Sequence, residues 1–219
     1  MEFNLLKINF GLIPEVFAFV VAIRYGKVLR KTFMKWVMPF LGFIVLAEFS
    51  CFFKILNGGS STIDIQLLIS VVESTFYAYV FYNFSSQPTF KISVVIFYFV
   101  SICIYTINYF LNGFDSDHWR LCLVVVGLLL TVVSLFYIIS IFNTDSIMPL
   151  ADYPGFWMAL GVSLFFSGIS LVFLLHAFII QHNYRIFGIK LYQFVPNVLC
   201  IVLYGCIAIA ILKCKQKIE

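Results

Sequence analysis

The sequence has 219 residues, of which 63% are hydrophobic, 11% are charged and 19% are aromatic, and its formal net charge is +4. A soluble domain would contain roughly 25% charged residues, so this composition excludes a soluble globular fold and predicts an all-α polytopic membrane protein. The polar connections are too short for a catalytic or nucleic-acid-binding module. We therefore expect a protein that is not an enzyme and has no nucleic-acid partner.

Seven apolar segments have the length of about 20 residues that a transmembrane helix needs. No linker divides them, so we expect a single seven-helix domain over 1–219. The first segment contains Pro14 and Glu15 and lacks a small-residue cleavage site, which indicates a span rather than a cleavable signal. The predicted spans are 5–23, 36–55, 65–84, 92–111, 119–142, 156–180 and 191–212.

Lysine and arginine are unevenly distributed between the two ends of these spans. Nine of the 14 fall on the side of the first loop and the C-terminal tail. Because loops rich in basic residues stay in the cytoplasm, this bias predicts an outside N-terminus and a cytoplasmic C-terminus in a bacterial inner membrane. The first loop is expected to bind membrane lipid or to dock a membrane or cytoplasmic signalling protein through Arg24, Lys27, Arg30, Lys31 and Lys35.

Three carboxylates, Glu15, Glu48 and Glu73, lie near the middle of the first three predicted spans. An ionised carboxylate at the bilayer centre costs at least ~2.5 kcal/mol, so these side chains should face other helices or a wet cavity. Three neighbouring carboxylates would repel one another, and we expect at least one to hold a proton near neutral pH. The nearest cation is Lys54, which would either reach outward to water or fold back to an acid.

Polar residues follow the helical repeat in spans three, four and seven. In span three, Gln66, Ser70, Glu73 and Tyr77 share one face. These stripes predict a polar pocket in the outer half that binds a ligand or a proton. The alternative is that they only join helices through hydrogen bonds worth about 0.6 kcal/mol each. The predicted pocket residues are Gln66, Ser70, Tyr105, Asn108, Gln193 and Asn197, and Tyr77 is predicted to bind a ligand or a proton together with the glutamates.

Small residues mark one face of span six. Ser163, Ser167 and Ser170 share this face, and Gly161 and Gly168 are a heptad apart. This pattern indicates close packing against a neighbouring helix.

The histidines and cysteines do not form a recognised ligand motif. His118, His176 and His182 all fall on the predicted outer side, but their spacing matches no known metal motif. The six cysteines lie within or at the ends of apolar segments and include no C-x-x-C pair. We expect neither a metal site nor a cofactor.

The central acid of IDIQLLISVVESTFYAYVFYNF, followed by DYPGFWMALGVSLFFSGISLVFLL and VPNVLCIVLYGCIAIAI, resembles a family of uncharacterised seven-span proteins of Bacteroidetes-type bacteria. Such proteins are often encoded near sensor kinases, so the resemblance implies a sensing or signalling accessory. The matching positions are Glu73, Tyr77, Trp157, Gly161, Phe165, Gly168, Phe173, Asn197 and Tyr204.

Three functions remain open. The first is a non-enzymatic sensor that binds a small or lipidic ligand in the outer pocket and signals through its basic cytoplasmic face. The second is a proton-coupled carrier that uses the three glutamates as a relay, and the third is a structural subunit of a larger membrane complex. A retinal protein is excluded because Lys190 and Lys213 only bracket the last span.

Overall fold

The structure is a computed structural model that describes residues 11–57, 62–113, 115–142, 149–186 and 188–216. These residues form α-helices, two short 3-10 helices at Phe33–Trp36 and Leu150–Asp152, and one antiparallel pair of two-residue strands, β1 (Arg185–Ile186) and β2 (Ile189–Lys190). The helices are α1 (Leu12–Arg24), α2 (Gly26–Leu29), α3 (Val37–Leu56), α4 (Ile63–Phe84), α5 (Pro88–Asn112), α6 (Ser116–Phe142), α7 (Pro154–Leu174), α8 (His176–Gln181) and α9 (Leu191–Gln216).

Six segments in the described part of the chain are helical, long and apolar enough to cross a membrane. The chain is therefore an all-α, multi-pass membrane bundle, as its composition predicts. The six segments are Phe33–Ile55, Ile63–Phe84, Pro88–Asn112, Asp117–Phe142, Pro154–Leu174 and Leu191–Cys214.

The predicted first span lies partly outside the described residues, since 5–10 belong to the undescribed N-terminal stretch. The described part, α1, has 13 residues. At 1.5 Å per residue, a helix of this length covers about 20 Å of the roughly 30 Å hydrocarbon core. The seventh span thus stays a prediction.

One predicted span is divided in the structure. The segment 156–180 was expected to be continuous, but α7 ends at Leu174 and a separate short helix, α8, begins at His176. Leu175, between them, has φ −90° and ψ 6°, outside the helical range. The prediction of one long helix was wrong because the apolar residues of α8 continue the hydropathy of α7 without marking the turn between them.

The helices pack as a closed ring. α1 contacts α3 on one side and α9 on the other, and the ring continues through α4, α5, α6 and α7, each in contact with the next, before α7 returns to α9. The tightest neighbours are α6 with α7 and α7 with α9. Inner faces of distant segments are therefore collected around one interior, where the buried side chains of Tyr77 and Phe81 lie.

Side-chain contacts show which helix ends lie together at one end of the bundle. At one end, Cys214 Sγ lies 3.0 Å from Met34 Sδ, Lys213 Nζ lies 2.8 Å from Asp152 Oδ1, and the ring of Phe33 packs on that of Phe84. We call this the basic end, because the exposed side chains of Arg24, Lys27, Arg30, Lys31 and Lys35 all lie there. The other end is called the opposite end.

Glycines allow the closest approach between α7 and its neighbours. A Cβ atom on Gly161 would lie 2.7 Å from Cys206 Cβ and 3.3 Å from the Leu203 carbonyl oxygen of α9. Ser163 and Ser170, on the same helix, are buried. The small-residue face thus supports close helix packing, as the sequence indicates.

We predict that Gly161→Ala lowers the thermal stability of the purified protein, because Cys206 Cβ and the α9 backbone cannot move independently to admit a methyl group. An overpacked interior typically costs about 1–3 kcal/mol. The matched control is Gly205→Ala on α9, where a Cβ meets nothing within 4 Å. Equal melting temperatures for the two variants in the same detergent would contradict this packing.

Candidate functional site

Glu15 lies on the most buried face of α1. Ala18 and Ala22, which follow Glu15 at helical spacing, have no exposed surface, and Glu15 itself is 5% exposed. Two small residues on this face let α1 approach α3 and α9 closely. Glu15 also lies in the first turn of its helix, where free backbone N–H groups favour a negative charge.

The structure brings the three predicted carboxylates together. Glu15 lies close enough to Glu48 of α3 and Glu73 of α4 to interact with both electrostatically, and Glu73 also interacts with Glu48. Glu48 and Glu73 are each only partly buried. Carboxyl side chains from α1, α3 and α4 thus meet inside the ring.

Two tyrosines complete this cluster. Tyr204 of α9 donates a hydrogen bond to Glu15, while Glu15 Oε2 is buried without a hydrogen-bond partner among the described residues. Tyr77 of α4 is fully buried, and its hydroxyl likewise has no partner in the described part of the chain. Glu73, Glu15 and Cys200 all lie within electrostatic range of that hydroxyl. We call Glu15, Glu48, Glu73, Tyr77 and Tyr204 the carboxylate cluster.

No cation reaches the carboxylate cluster from the described residues. Lys54, the nearest candidate in the sequence, binds Asp64 with Nζ–Oδ1 and Nζ–Oδ2 distances of 2.8 and 2.9 Å. The two partners are exposed at the opposite end, with side-chain exposures of 37% and 51%. Lys54 therefore folds back to an acid, but that acid is Asp64 and not one of the three glutamates.

A second polar group lies between α4, α5 and α6. The hydroxyls of Ser74 and Tyr105 are 3.3 Å apart, and the Tyr105 ring packs 5.5 Å from the ring of Trp119. Asn108, one turn further along α5, is buried and accepts a hydrogen bond from Asn112. Tyr105 also interacts electrostatically with Glu73, so polar side chains continue from the end of α5 to the carboxylate cluster.

The remaining predicted pocket residues divide into two sets. Asn197 is partly buried, and its Oδ1 accepts the Gly11 N–H at 3.0 Å, which ties α9 to the residue before α1. Ser70 is buried but donates to the Gln66 carbonyl of its own helix. Gln66 and Gln193 are exposed, so the prediction that they face the interior was wrong. Both are in the first turn of their helix, where a long amide side chain reaches the surface.

Sequence reasoning left Ser74 and Trp119 out of the site and did not assign Tyr204 to it. Tyr204 continues the helical stripe of Asn197 and Cys200, so a detectable signal existed. Ser74 follows Glu73 directly and lies one turn after Ser70, at the edge of the predicted stripe. Its role depends on α5 lying alongside α4, which periodicity within one helix does not reveal.

The histidines are spread along the opposite end. His118 binds Asp115, and this interaction lowers the pKa of the Asp115 carboxyl below its ordinary value. His176 contacts the guanidinium of Arg120, which also pairs with Asp117. Among the described residues, no group of three or more His, Cys, Asp or Glu side chains is arranged to hold a metal ion.

Comparisons of the chain with protein-family models, with curated proteins and with solved structures find no match. The function is therefore argued from the carboxylate cluster and its surroundings.

We predict that the contact between Arg120 and His176 weakens on acidification. Partial burial, followed by the positive charge of Arg120, lowers the pKa of His176 below its ordinary value of 6.5. The folded state therefore favours neutral His176, and the stability that depends on it is present above about pH 6.5 and is lost as the pH falls below that value. Melting temperatures at pH 8 and pH 5 would measure this loss.

The control for this prediction is His176→Gln, which keeps a hydrogen-bond acceptor for Arg120 but does not titrate. Its melting temperature should fall less between pH 8 and pH 5 than that of the unmodified chain. An identical fall in both proteins would assign the pH dependence to other groups.

Proposed function

We propose that this chain is a non-enzymatic sensor in a bacterial inner membrane, whose carboxylate cluster binds a proton or a small cationic ligand. The observation that supports the proposal is the convergence of three carboxylates and the unpartnered Tyr77 hydroxyl inside the ring, without a lysine or arginine from the described residues. Uncompensated negative charge in a low-dielectric interior is costly, so the cluster requires a positive partner.

A bound cation would change the repulsion between helices. Without it, ionised Glu15, Glu48 and Glu73 push α1, α3 and α4 apart, whereas a cation or a proton between them draws the same helices together. A ligand shifts a conformational equilibrium only by its difference in affinity for the two states, and this change in repulsion supplies such a difference.

The helices of the cluster also form the basic end. α9, which carries Tyr204, contacts α2 near that end, and Cys214 of α9 contacts Met34 before α3. A displacement of α1 or α9 at the cluster would therefore move the exposed basic residues of the first loop. In this proposal that loop docks a membrane or cytoplasmic signalling protein, and the resemblance to proteins encoded near sensor kinases agrees with such a role.

A proton-coupled carrier is the second candidate. The run of polar side chains from Asn108 through Tyr105 to Glu73, and the partial exposure of Glu48 and Glu73, favour it. A carrier needs a path along which a proton reaches the relay, and these residues extend from the opposite end towards the middle of the bundle.

In the proposed orientation, the basic end faces the cytoplasm and seven spans place the N-terminus outside. The five exposed basic residues of the first loop and Lys213 lie at the basic end, whereas Lys54, Arg120, Arg185 and Lys190 lie at the opposite end. We predict that a C-terminal reporter is active only in its cytoplasmic form. Activity of a reporter that works only in the periplasm would reverse the orientation.

We predict that Glu73→Gln abolishes the pH-dependent response of the protein while leaving it folded, because glutamine preserves the shape and hydrogen bonding of the side chain but removes its charge. The matched control is Asp64→Asn on the same helix, which removes an exposed carboxylate outside the cluster. The readout is partner binding at pH 6 and pH 8, alongside pH-gradient-driven uptake in reconstituted vesicles.

The two candidate functions give different results in this experiment. A sensor shows no uptake in any form, and Glu73→Gln alters only partner binding. A carrier loses uptake in Glu73→Gln and keeps it in Asp64→Asn. If Glu73→Gln and Asp64→Asn both match the unmodified chain in every readout, the glutamate is a packing residue and both proposals are wrong.

A further inference from the structure

An apolar groove runs between α3 and α4 on the outer surface of the bundle. Its volume is about 400 Å³. Its floor is formed by Phe40 and Phe76, two buried rings stacked with their centroids 3.7 Å apart. Its walls include Trp36, which is 53% exposed, and Thr75, whose hydroxyl is occupied by the Val71 carbonyl of its own helix. The groove thus offers an occupant an almost purely apolar surface.

Two lysines of the basic end lie over aromatic rings, one ring lining the groove and the other one helical turn beyond it. Lys35 Nζ lies 5.9 Å from the ring centroid of the adjacent Trp36. Lys91 Nζ lies 5.1 Å from the ring centroid of Tyr82, which is one helical turn from the groove residue Tyr79. Trp and Tyr are typical of the membrane–water interface, so the two ammonium groups lie at the depth of lipid headgroups.

The salt bridges between described residues leave out both of these lysines. Asp152, the described acid at this end, pairs with a different lysine: its Oδ1 lies 2.8 Å from Lys213 Nζ. The groove therefore combines an apolar slot at the depth of acyl chains with two cations at the depth of headgroups. Neither a neutral lipid nor a purely apolar helix would use both features.

We propose that the groove is a binding site for an anionic phospholipid. One acyl chain lies between Phe43 and Thr75 on the floor of stacked rings, and the headgroup phosphate pairs with Lys35 and Lys91. This assignment does not depend on the function of the carboxylate cluster, which lies on the other side of Phe76. It also does not depend on the orientation of the chain.

Trp36 provides the test, because it lines the groove and its fluorescence is quenched by bromine on a neighbouring acyl chain. The full chain in detergent micelles is titrated with dibrominated phosphatidylglycerol or dibrominated phosphatidylcholine. The same titration of Trp36→Phe is subtracted, so that the difference reports the groove alone. We expect half-maximal quenching by the anionic lipid at a lower mole fraction than by phosphatidylcholine. The difference should be about fivefold for each lysine that binds the headgroup.

Three variants separate the site from a general attraction of lipid to the protein. Lys35→Gln combined with Lys91→Gln should reduce quenching by the anionic lipid to the level seen with phosphatidylcholine. Lys190→Gln is the matched control, because Lys190 also stacks on a tyrosine, at 5.6 Å from the ring of Tyr192, but lies at the opposite end. It should leave the preference unchanged. Thr75→Phe, which fills the groove, should reduce quenching by both lipids.

The proposal is overturned if the two lipids quench Trp36 equally in the unmodified chain, or if Lys190→Gln removes the preference as fully as the double variant does. It is also overturned if Trp36 emission follows protein concentration rather than lipid fraction, because the occupant would then be a second copy of the chain. If Thr75→Phe does not fold, the double lysine variant alone decides between these results.

Discussion

The burial of three carboxyl groups close together in a membrane interior is the constraint around which the helices are arranged. Burying a charge without a partner is costly, and the described residues supply no cation to Glu15, Glu48 or Glu73. The protein compensates Glu15 in part, through the hydrogen bond from Tyr204 and the N-terminal turn of α1. No described lysine or arginine neutralises the remaining carboxyl groups.

The closed ring is what keeps these charges together. α1 has 13 residues and gains most of its hold from contacts with α3 and α9, through a face of alanines that admits close packing. The Gly11 N–H also binds Asn197 of α9, next to Pro196, which interrupts the backbone hydrogen bonding of that helix. The helix that carries Glu15 is thus held at its N-terminal end by α9 and along its length by packing against α3 and α9. The shortest of the helices that carry the cluster thus holds its most buried acid.

Hydropathy was sufficient to predict most of the fold and part of the site. Five predicted spans agree with observed helices to within about one turn, because twenty apolar residues between polar breakers have few alternatives in a bilayer. The depth of a residue in the membrane follows from its position in a span, so the convergence of the three glutamates was predictable. The end of α7 at Leu174 was not, because the apolar residues 177–180 of α8 continue the apolar run beyond it.

The partners of individual side chains were less predictable, for a related reason. A helical stripe indicates that residues share a face but does not identify the helix opposite. Gln66 and Gln193 belong to such stripes yet are exposed, whereas Ser74, which the predicted stripe did not include, contacts Tyr105. Lys54 was expected either to reach outward or to fold back to an acid, and its pairing with Asp64 depends on how α3 and α4 meet across an undescribed connection.

The groove and the carboxylate cluster share two helices, which has a thermodynamic consequence. Phe40 and Phe76 form the groove floor, and their rings pack against Tyr77 at centroid distances of 5.8 and 5.4 Å, so one layer of aromatic rings separates the two sites. A lipid that spreads or draws together α3 and α4 changes the separation of Glu48 and Glu73, which those helices carry. If lipid binding changes the affinity of the cluster for a cation, the cation must change the affinity of the groove for lipid by the same factor. The layer is apolar and separates the anionic headgroup from the carboxylates, so in this proposal the coupling passes through the spacing of α3 and α4 rather than through direct contact between the two sites.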